Sequence, residues 1–142
     1  MKKVYLAGGC FWGLEDLFKE QEGITNTEVG YTGGENDNPD YHNHPGHAEA
    51  LEVEYDPEKT SLKNILDFFF RVHNPTTLNQ QGYDIGTQYR SEIFYTSEKQ
   101  KKIAEDILKK NNIKFNGKIV TNISENKNYC KAEDYHQKYL ER

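Results

Sequence analysis

The spacing of hydrophobic positions changes period several times along the chain, and each change marks an element. Lys3-Val4-Tyr5-Leu6-Ala7 is a short apolar run that predicts a buried strand, after which Leu14, Leu17, Phe18 and Gln21 recur at helical spacing. Gly23 is placed to close that helix. Residues 25–31 carry strand-favouring Thr and Val, and residues 33–46, dense in Gly, Asn, Pro and His, read as a loop. Residues 47–55 alternate and predict a third strand, stopped by Asp56-Pro57. His47, Glu49, Leu51, Val53 and Tyr55 share one face of it. Ala48, Ala50, Glu52 and Glu54 share the other, with Glu52 and Glu54 expected in solvent.

Thr60 or Ser61 can cap a helix whose inward face is Leu62, Ile65, Leu66, Phe69 and Val72 or His73, ended by Pro75. Residues 74–90 show no period, and a long loop in a compact domain is often functional. A strand follows at 91–96. Ser97 with Gln100 resembles a capping box for a helix carrying Ile103, Ala104, Ile107 and Leu108. The remaining expectations are a strand at 118–123, a loop at 126–131 and a short helix at 132–140. This order predicts an α+β fold: a single two-layer domain, residues 1–142, with a mixed β-sheet covered by helices.

Composition narrows the function classes. A formal net charge of −5 over 142 residues argues against a nucleic-acid binder. Lys99, Lys101, Lys102, Lys109 and Lys110 read as the solvated side of a helix. There is no apolar run of about 18 residues to span a membrane. Lys2-Lys3 followed by Leu6-Ala7-Gly8-Gly9-Cys10 loosely mimics a lipid-attachment signal, but its apolar run is far shorter than the roughly 7–15 residues of such a segment. The default is a cytoplasmic monomer. Two cysteines do not make a disulfide scaffold. His42, His44 and His47 match no zinc-ligand spacing, and neither a metal nor another cofactor is expected.

Candidate chemistry centres on Gly8-Gly9-Cys10-Phe11-Trp12-Gly13. The cysteine falls at a strand–helix turn, near the helix N-terminus, where unpaired N–H groups and the helix dipole favour a thiolate and so a lowered pKa. Phe11 and Trp12 offer apolar surface beside it. Taken alone, the spacing fits a buried core cysteine as well as a nucleophile. Glu49 is the second clue. On an inward row its carboxyl is desolvated, its pKa rises, and it suits a general acid. If the strand begins only at Ala50, Glu49 sits in an exposed turn instead. Residues 80–90 are rich in side-chain donors and can line a polar pocket or form an ordered turn.

Several blocks resemble one family. Gly-Cys-Phe-Trp-Gly at 9–13, Gly-Tyr-Thr-Gly-Gly at 30–34, Asn-Pro-Asp-Tyr at 38–41 and Gly-His-Ala-Glu at 46–49 look like peptide methionine sulfoxide reductases of the A type. So do Tyr55-Asp56-Pro57, the stretch from His73 to Thr76, the run from Gln81 to Ser91, and Ala132-Glu133-Asp134-Tyr135-His136-Gln137. The resemblance implies an oxidoreductase for protein repair under oxidative stress, acting on the S epimer of methionine sulfoxide, free or in proteins. Cys10 would attack the sulfoxide sulfur and become a sulfenic acid. Glu49 would protonate the oxygen, with Tyr41 and Tyr89 hydrogen-bonded to it. Asp84 would order the polar side, and Phe11 and Trp12 would hold the S-methyl group.

The chain departs from the family pattern at three places. The usual glycine-rich tail with resolving cysteines does not follow Arg142, the segment 41–46 is shorter and lacks a cysteine, and Asn74 stands where Asp is usual. Recycling is therefore expected either through a resolving Cys130 or through direct attack on Cys10 by thioredoxin, glutaredoxin or glutathione, with Cys130 then inert. A thiol peroxidase or redox sensor built on Cys10 is the alternative enzyme class, and an aromatic-lined binding module the non-enzymatic one.

Overall fold

The computed structural model describes residues 1–34 and 46–141. In chain order the elements are β1 (Lys2–Ala7), α1 (Phe11–Phe18), β2 (Ile24–Thr32), β3 (Ala48–Tyr55), α2 (Leu62–Val72), a small hairpin β4 (Gln80–Gln81) and β5 (Asp84–Ile85), a 3-10 turn (Thr87–Tyr89), β6 (Glu92–Tyr95), α3 (Glu98–Lys114), β7 (Asn122–Glu125), β8 (Cys130–Lys131) and two further 3-10 turns (Asp134–His136 and Tyr139–Glu141). Six strands form one sheet in the order β7-β6-β1-β3-β2-β8. Pairing is antiparallel except between β6 and β7. The fold is the expected α+β arrangement of a mixed sheet and helices.

Alternation sorts the sheet residues. Val4 and Leu6 of β1, Val29 and Tyr31 of β2, and Leu51, Val53 and Tyr55 of β3 join Phe11, Leu14 and Phe18 of α1 and Leu62, Ile65, Leu66, Phe69 and Phe70 of α2 in the main core. Ser61 caps α2 by accepting from Asn64 N–H at 3.1 Å. Ser97 likewise caps α3, but Gln100 does not complete the reciprocal bond. Its Oε1 accepts from Thr96 N–H at 2.8 Å and its Nε2 donates to the Lys3 carbonyl at 2.8 Å, tying α3 to β1.

Six expectations fail locally, each for a physical reason. Helix α1 ends at Phe18, so Gly23 is no helix cap. It turns the chain into β2 at φ +83°, pressed against Thr60. With the helix that short, Phe11, Leu14, Glu15 and Phe18 are the inward face, while Leu17 is exposed. The far face of β3 is solvated only toward Glu54, which is part-exposed: Tyr5, Ala7, Ala48, Ala50 and Phe94 form a second small cluster backed by Tyr129. Glu52 is buried within that face and bound by Tyr5 Oη–H (2.9 Å) and Lys3 Nζ (3.2 Å).

Strand β7 starts later than expected because the backbone N–H groups of Ile119 and Val120 go to Asn112 Oδ1 and the Pro75 carbonyl. The stretch 126–131 is not all loop, since Cys130 and Lys131 pair with Tyr31 and Gly30 at the sheet edge. The expected final helix is two 3-10 turns broken at Lys138, whose φ is +51°. Lys138 is held there by Glu15, which accepts from its backbone N–H at 2.8 Å and pairs with its ammonium at 3.2 Å. Among the described residues no helix is long and apolar enough to cross a membrane.

Candidate active site

Cys10 leaves β1 through Gly8 and Gly9 and enters α1 as its N-cap, in extended backbone conformation. Two neighbours hold that turn. Gly9 adopts φ +91°, and a Cβ there would lie 2.9 Å from Gln81 Cβ. Its N–H donates to the Tyr89 carbonyl at 3.3 Å. The Gln81 amide is itself fixed by both backbone groups of Asn74, accepting from its N–H at 2.9 Å and donating to its carbonyl. Gly8 lies against His73, within 3.0 Å of Cδ2 for a built Cβ. His73 donates from Nδ1 to the Phe69 carbonyl (2.6 Å), so its Nε2 accepts from Ser91 Oγ (2.7 Å). Burial pushes its pKa down to about 4, which keeps the ring neutral. Nothing in the hydrophobic periodicity points to His73, Gln81 and Ser91 as supports for the cysteine turn.

The Cys10 thiol is half-buried, and its pKa lies above the ordinary thiol value, contrary to the expected lowering. Desolvation is the largest cause. The N–H groups of Trp12 and Gly13 do favour the thiolate, as a helix N-terminus should, but the charges of Glu49 and Asp84 oppose it. Position at a helix start is thus outweighed by burial.

Glu49 lies inside β3, not in a turn, and is 2% exposed. Its Oε1 accepts from Phe11 N–H at 3.3 Å, which ties it to the first turn of α1. Burial, reinforced by the Asp84 charge, pushes its pKa up to about 7 despite that bond. Its cross-strand neighbour on β2 is Tyr31, fully buried and 5.6 Å from the Phe11 ring.

Phe11 and Trp12 divide their tasks differently from the expectation of two equivalent apolar surfaces. The Phe11 ring is 0% exposed and belongs to the core, so it offers no free surface and forms the floor beneath the site. Trp12 is half-buried. Its Nε1–H donates to His136 Nδ1 at 3.0 Å, and its ring stacks on Tyr139 at 4.0 Å.

Asp84 is half-buried on β5, directly opposite Gln81, and its charge reaches both Cys10 and Glu49. Tyr89 closes the 3-10 turn that packs against β3. Cys10, Glu49, Asp84, Trp12 and Tyr89 therefore converge on the turn between β1 and α1. Tyr41, with His42 and His44, lies outside the described residues. His47 is buried, and its Nδ1 accepts from Gly34 N–H at 3.2 Å. Among the described residues no group of three or more His, Cys, Asp or Glu is placed to hold a metal ion.

Cys130 is not brought to this site. It sits on β8, and β2 and β3 separate it from β1 in the sheet. Desolvation pushes its thiol pKa up.

The constellation provides a thiol, a carboxyl whose hold on its proton is raised toward neutral pH by burial, and an apolar wall. That set can deliver a nucleophile and a proton to opposite ends of one polar bond. Comparison with known proteins agrees. A family model described as peptide methionine sulfoxide reductase matches residues 2–142. A peptide methionine sulfoxide reductase MsrA of Mycolicibacterium gilvum is 54% identical over 143 residues, covering 99% of this chain and 85% of that protein. Reduced Mxr1 of Saccharomyces cerevisiae superposes with a TM-score of 0.92 at 38% identity, covering 99% of this chain and 84% of that one. Mxr1 has also been solved in complex with Trx2, matching with a TM-score of 0.70 at 31% identity over 97% of this chain and 84% of that one.

Proposed function

The chain belongs to the A-type peptide methionine sulfoxide reductases, enzymes that return methionine sulfoxide to methionine, and from this premise we propose how its own residues perform the reaction and how it is recycled. Residues 1–142 act as one catalytic domain. Cys10 attacks the sulfoxide sulfur while Glu49 gives its proton to the oxygen. The S–O bond then breaks as the protonated oxygen passes to Cys10 Sγ and the S–S bond made by the attack is broken, leaving the sulfide, a sulfenic acid on Cys10 and a Glu49 carboxylate. The thiol proton, released to solvent or back to Glu49, balances the step. An S=O oxygen leaves poorly as an oxide, so the acid must be in place before the bond breaks. The buried carboxyl with a pKa pushed up to about 7, bound to the helix that carries Cys10, is the observation that carries this reading.

Tyr89, together with Tyr41, takes the role of phenol donor to the oxygen. Asp84 adds its charge to the burial that favours the protonated form of Glu49. Trp12, over the Phe11 floor, forms the wall for the S-methyl group. An apolar slot beside a polar one selects a single sulfoxide epimer, here the S epimer. The sulfenic acid is then attacked by an external thiol of the thioredoxin class, with glutaredoxin or glutathione as substitutes. The Mxr1 complex with Trx2 and the remote strand position of Cys130 support this route over an internal disulfide. The protein acts as a cytoplasmic monomer on free and protein-bound sulfoxide.

Turnover of each methionine sulfoxide epimer with dithiothreitol tests the reading. The S epimer should be consumed, with activity lost in Cys10→Ser and reduced at least 100-fold in Glu49→Gln. Wild-type rates in Glu49→Gln, or peroxide consumption without sulfoxide turnover, would overturn it.

A further inference from the structure

Trp12 reaches the site from the helix, but its indole is oriented by residues from the other end of the chain. Its Nε1–H donates to His136 Nδ1 at 3.0 Å, and Tyr139 stacks on its ring at 4.0 Å with planes 12° apart. His136 is 2% exposed. Its ring lies 5.3 Å from the Phe11 ring and 4.2 Å from that of Tyr135, so packing fixes the imidazole. Because Nδ1 accepts from the indole, the proton of the neutral ring is on Nε2, which faces Glu133 Oε2 at 3.8 Å.

The segment that carries His136 and Tyr139 is anchored independently of the indole. Gln137 pairs its side-chain amide with both backbone groups of Val29 on β2 (2.9 Å each). Glu15 holds Lys138. The imidazole is thus a fixed acceptor against which the indole is aimed.

We propose that His136 is a positioning residue for the methyl wall: by accepting the Trp12 indole N–H it sets the plane of the ring, and so the discrimination between S-methyl and larger S-alkyl sulfoxides. This rests on the reading of Trp12 as that wall. One methylene is distinguished by small displacements of a wall, and a hydrogen bond that restrains the wall contributes to that difference.

Trp12 is the only tryptophan, so fluorescence excited selectively at the red edge of the indole band, where tyrosine does not absorb, reports its environment. The full chain is assayed with methionine sulfoxide and with its S-ethyl homologue, ethionine sulfoxide. In His136→Leu, which removes the acceptor, the emission should shift and acrylamide quenching should rise. The methyl-over-ethyl ratio of kcat/KM should fall roughly threefold to tenfold, the range that one hydrogen bond supports. His136→Asn places its Oδ1 where Nδ1 stood and should restore both readouts. His136→Gln displaces the acceptor by one methylene and should behave like His136→Leu.

An unchanged emission and ratio in His136→Leu would overturn the proposal. So would an Asn variant as impaired as the Gln variant, and that comparison decides even if His136→Leu does not fold. Trp12→Phe separates the two layers of the argument. If it leaves the ratio intact, Trp12 is not the methyl wall. If it lowers the ratio while His136→Leu does not, the wall stands and only its positioning by His136 falls.

Discussion

In the proposed reaction the thiolate of Cys10 acts with the acid form of Glu49, a state with one proton between the two groups. Below about pH 7 Glu49 and Cys10 are both protonated, and above the raised thiol pKa neither is. The thiolate–acid form has the same proton count as the thiol–carboxylate form, so its population is constant between those limits. The profile of kcat/KM should rise to a limb near 7, run flat, and fall only above the ordinary thiol range. Asp84 raises both limits by its charge, so Asp84→Asn should move both limbs to lower pH. A shift of one limb alone would remove Asp84 from that role.

Stability has its own signature at this carboxyl. Its folded pKa of about 7 lies above the ordinary 4.5, so the native state holds the proton more tightly. The associated stability is fully present below 4.5 and is lost as pH rises through about 7. Glu49→Gln removes that loss. The stability of the variant relative to wild type should therefore increase between pH 4.5 and pH 8, by up to about 3 kcal/mol, as measured by urea unfolding at both pH values. The strand–helix turn and the inward row brought these two residues forward as candidates but left each open, and it was the family resemblance that singled them out. The sign of the thiol shift was not legible in the sequence, because burial of the N-cap by β3 and the hairpin is a tertiary fact.

At the scale of elements, periodicity found what regular packing dictates and missed what individual bonds dictate. Strands β1, β2 and β3 and helices α2 and α3 lay in the pattern, since each has a face turned to the main core. Strand β8 did not. Its two residues carry no alternation, and it exists because Gly30 admits close approach. A Cβ there would meet the Tyr129 ring at 2.5 Å and the Cys130 carbonyl at 2.6 Å. The two 3-10 turns near the end were missed because Lys138 answers to Glu15 and Gln137 to Val29, not to helical neighbours. The turn that presents Cys10 depends on the same kind of contact. Gly9→Ala combines a left-handed φ with a collision against Cβ and Cγ of the Gln81 side chain, whose own amide is pinned to Asn74. It should lower stability by about 1–3 kcal/mol and reduce kcat/KM at least tenfold, read by thermal unfolding and by sulfoxide turnover. Wild-type activity in that variant would show that the turn can shift without moving the sulfur.

At the scale of the whole molecule, the place of Cys130 in the sheet bears on how Cys10 is recycled. β1, β3, β2 and β8 are successive neighbours. Cys130 therefore lies three strand spacings, roughly 14 Å, from the strand that leads to Cys10. A disulfide needs Cα atoms within about 7 Å. Along that path stand the buried side chains of Glu49 and Tyr31, in register with one another and with Cys130. β8 is also held in place, its pairing with β2 continued by Ala132 N–H on the Val29 carbonyl (3.0 Å) and by the Gln137 amide. The arrangement favours a sulfenic acid that waits for an incoming thiol. After one equivalent of methionine sulfoxide and no reductant, mass spectrometry should find Cys10 trapped by a dione reagent and Cys130 still alkylatable. Cys130→Ser should turn over at the wild-type rate with dithiothreitol and with thioredoxin. A Cys10–Cys130 disulfide in the oxidised protein would contradict this.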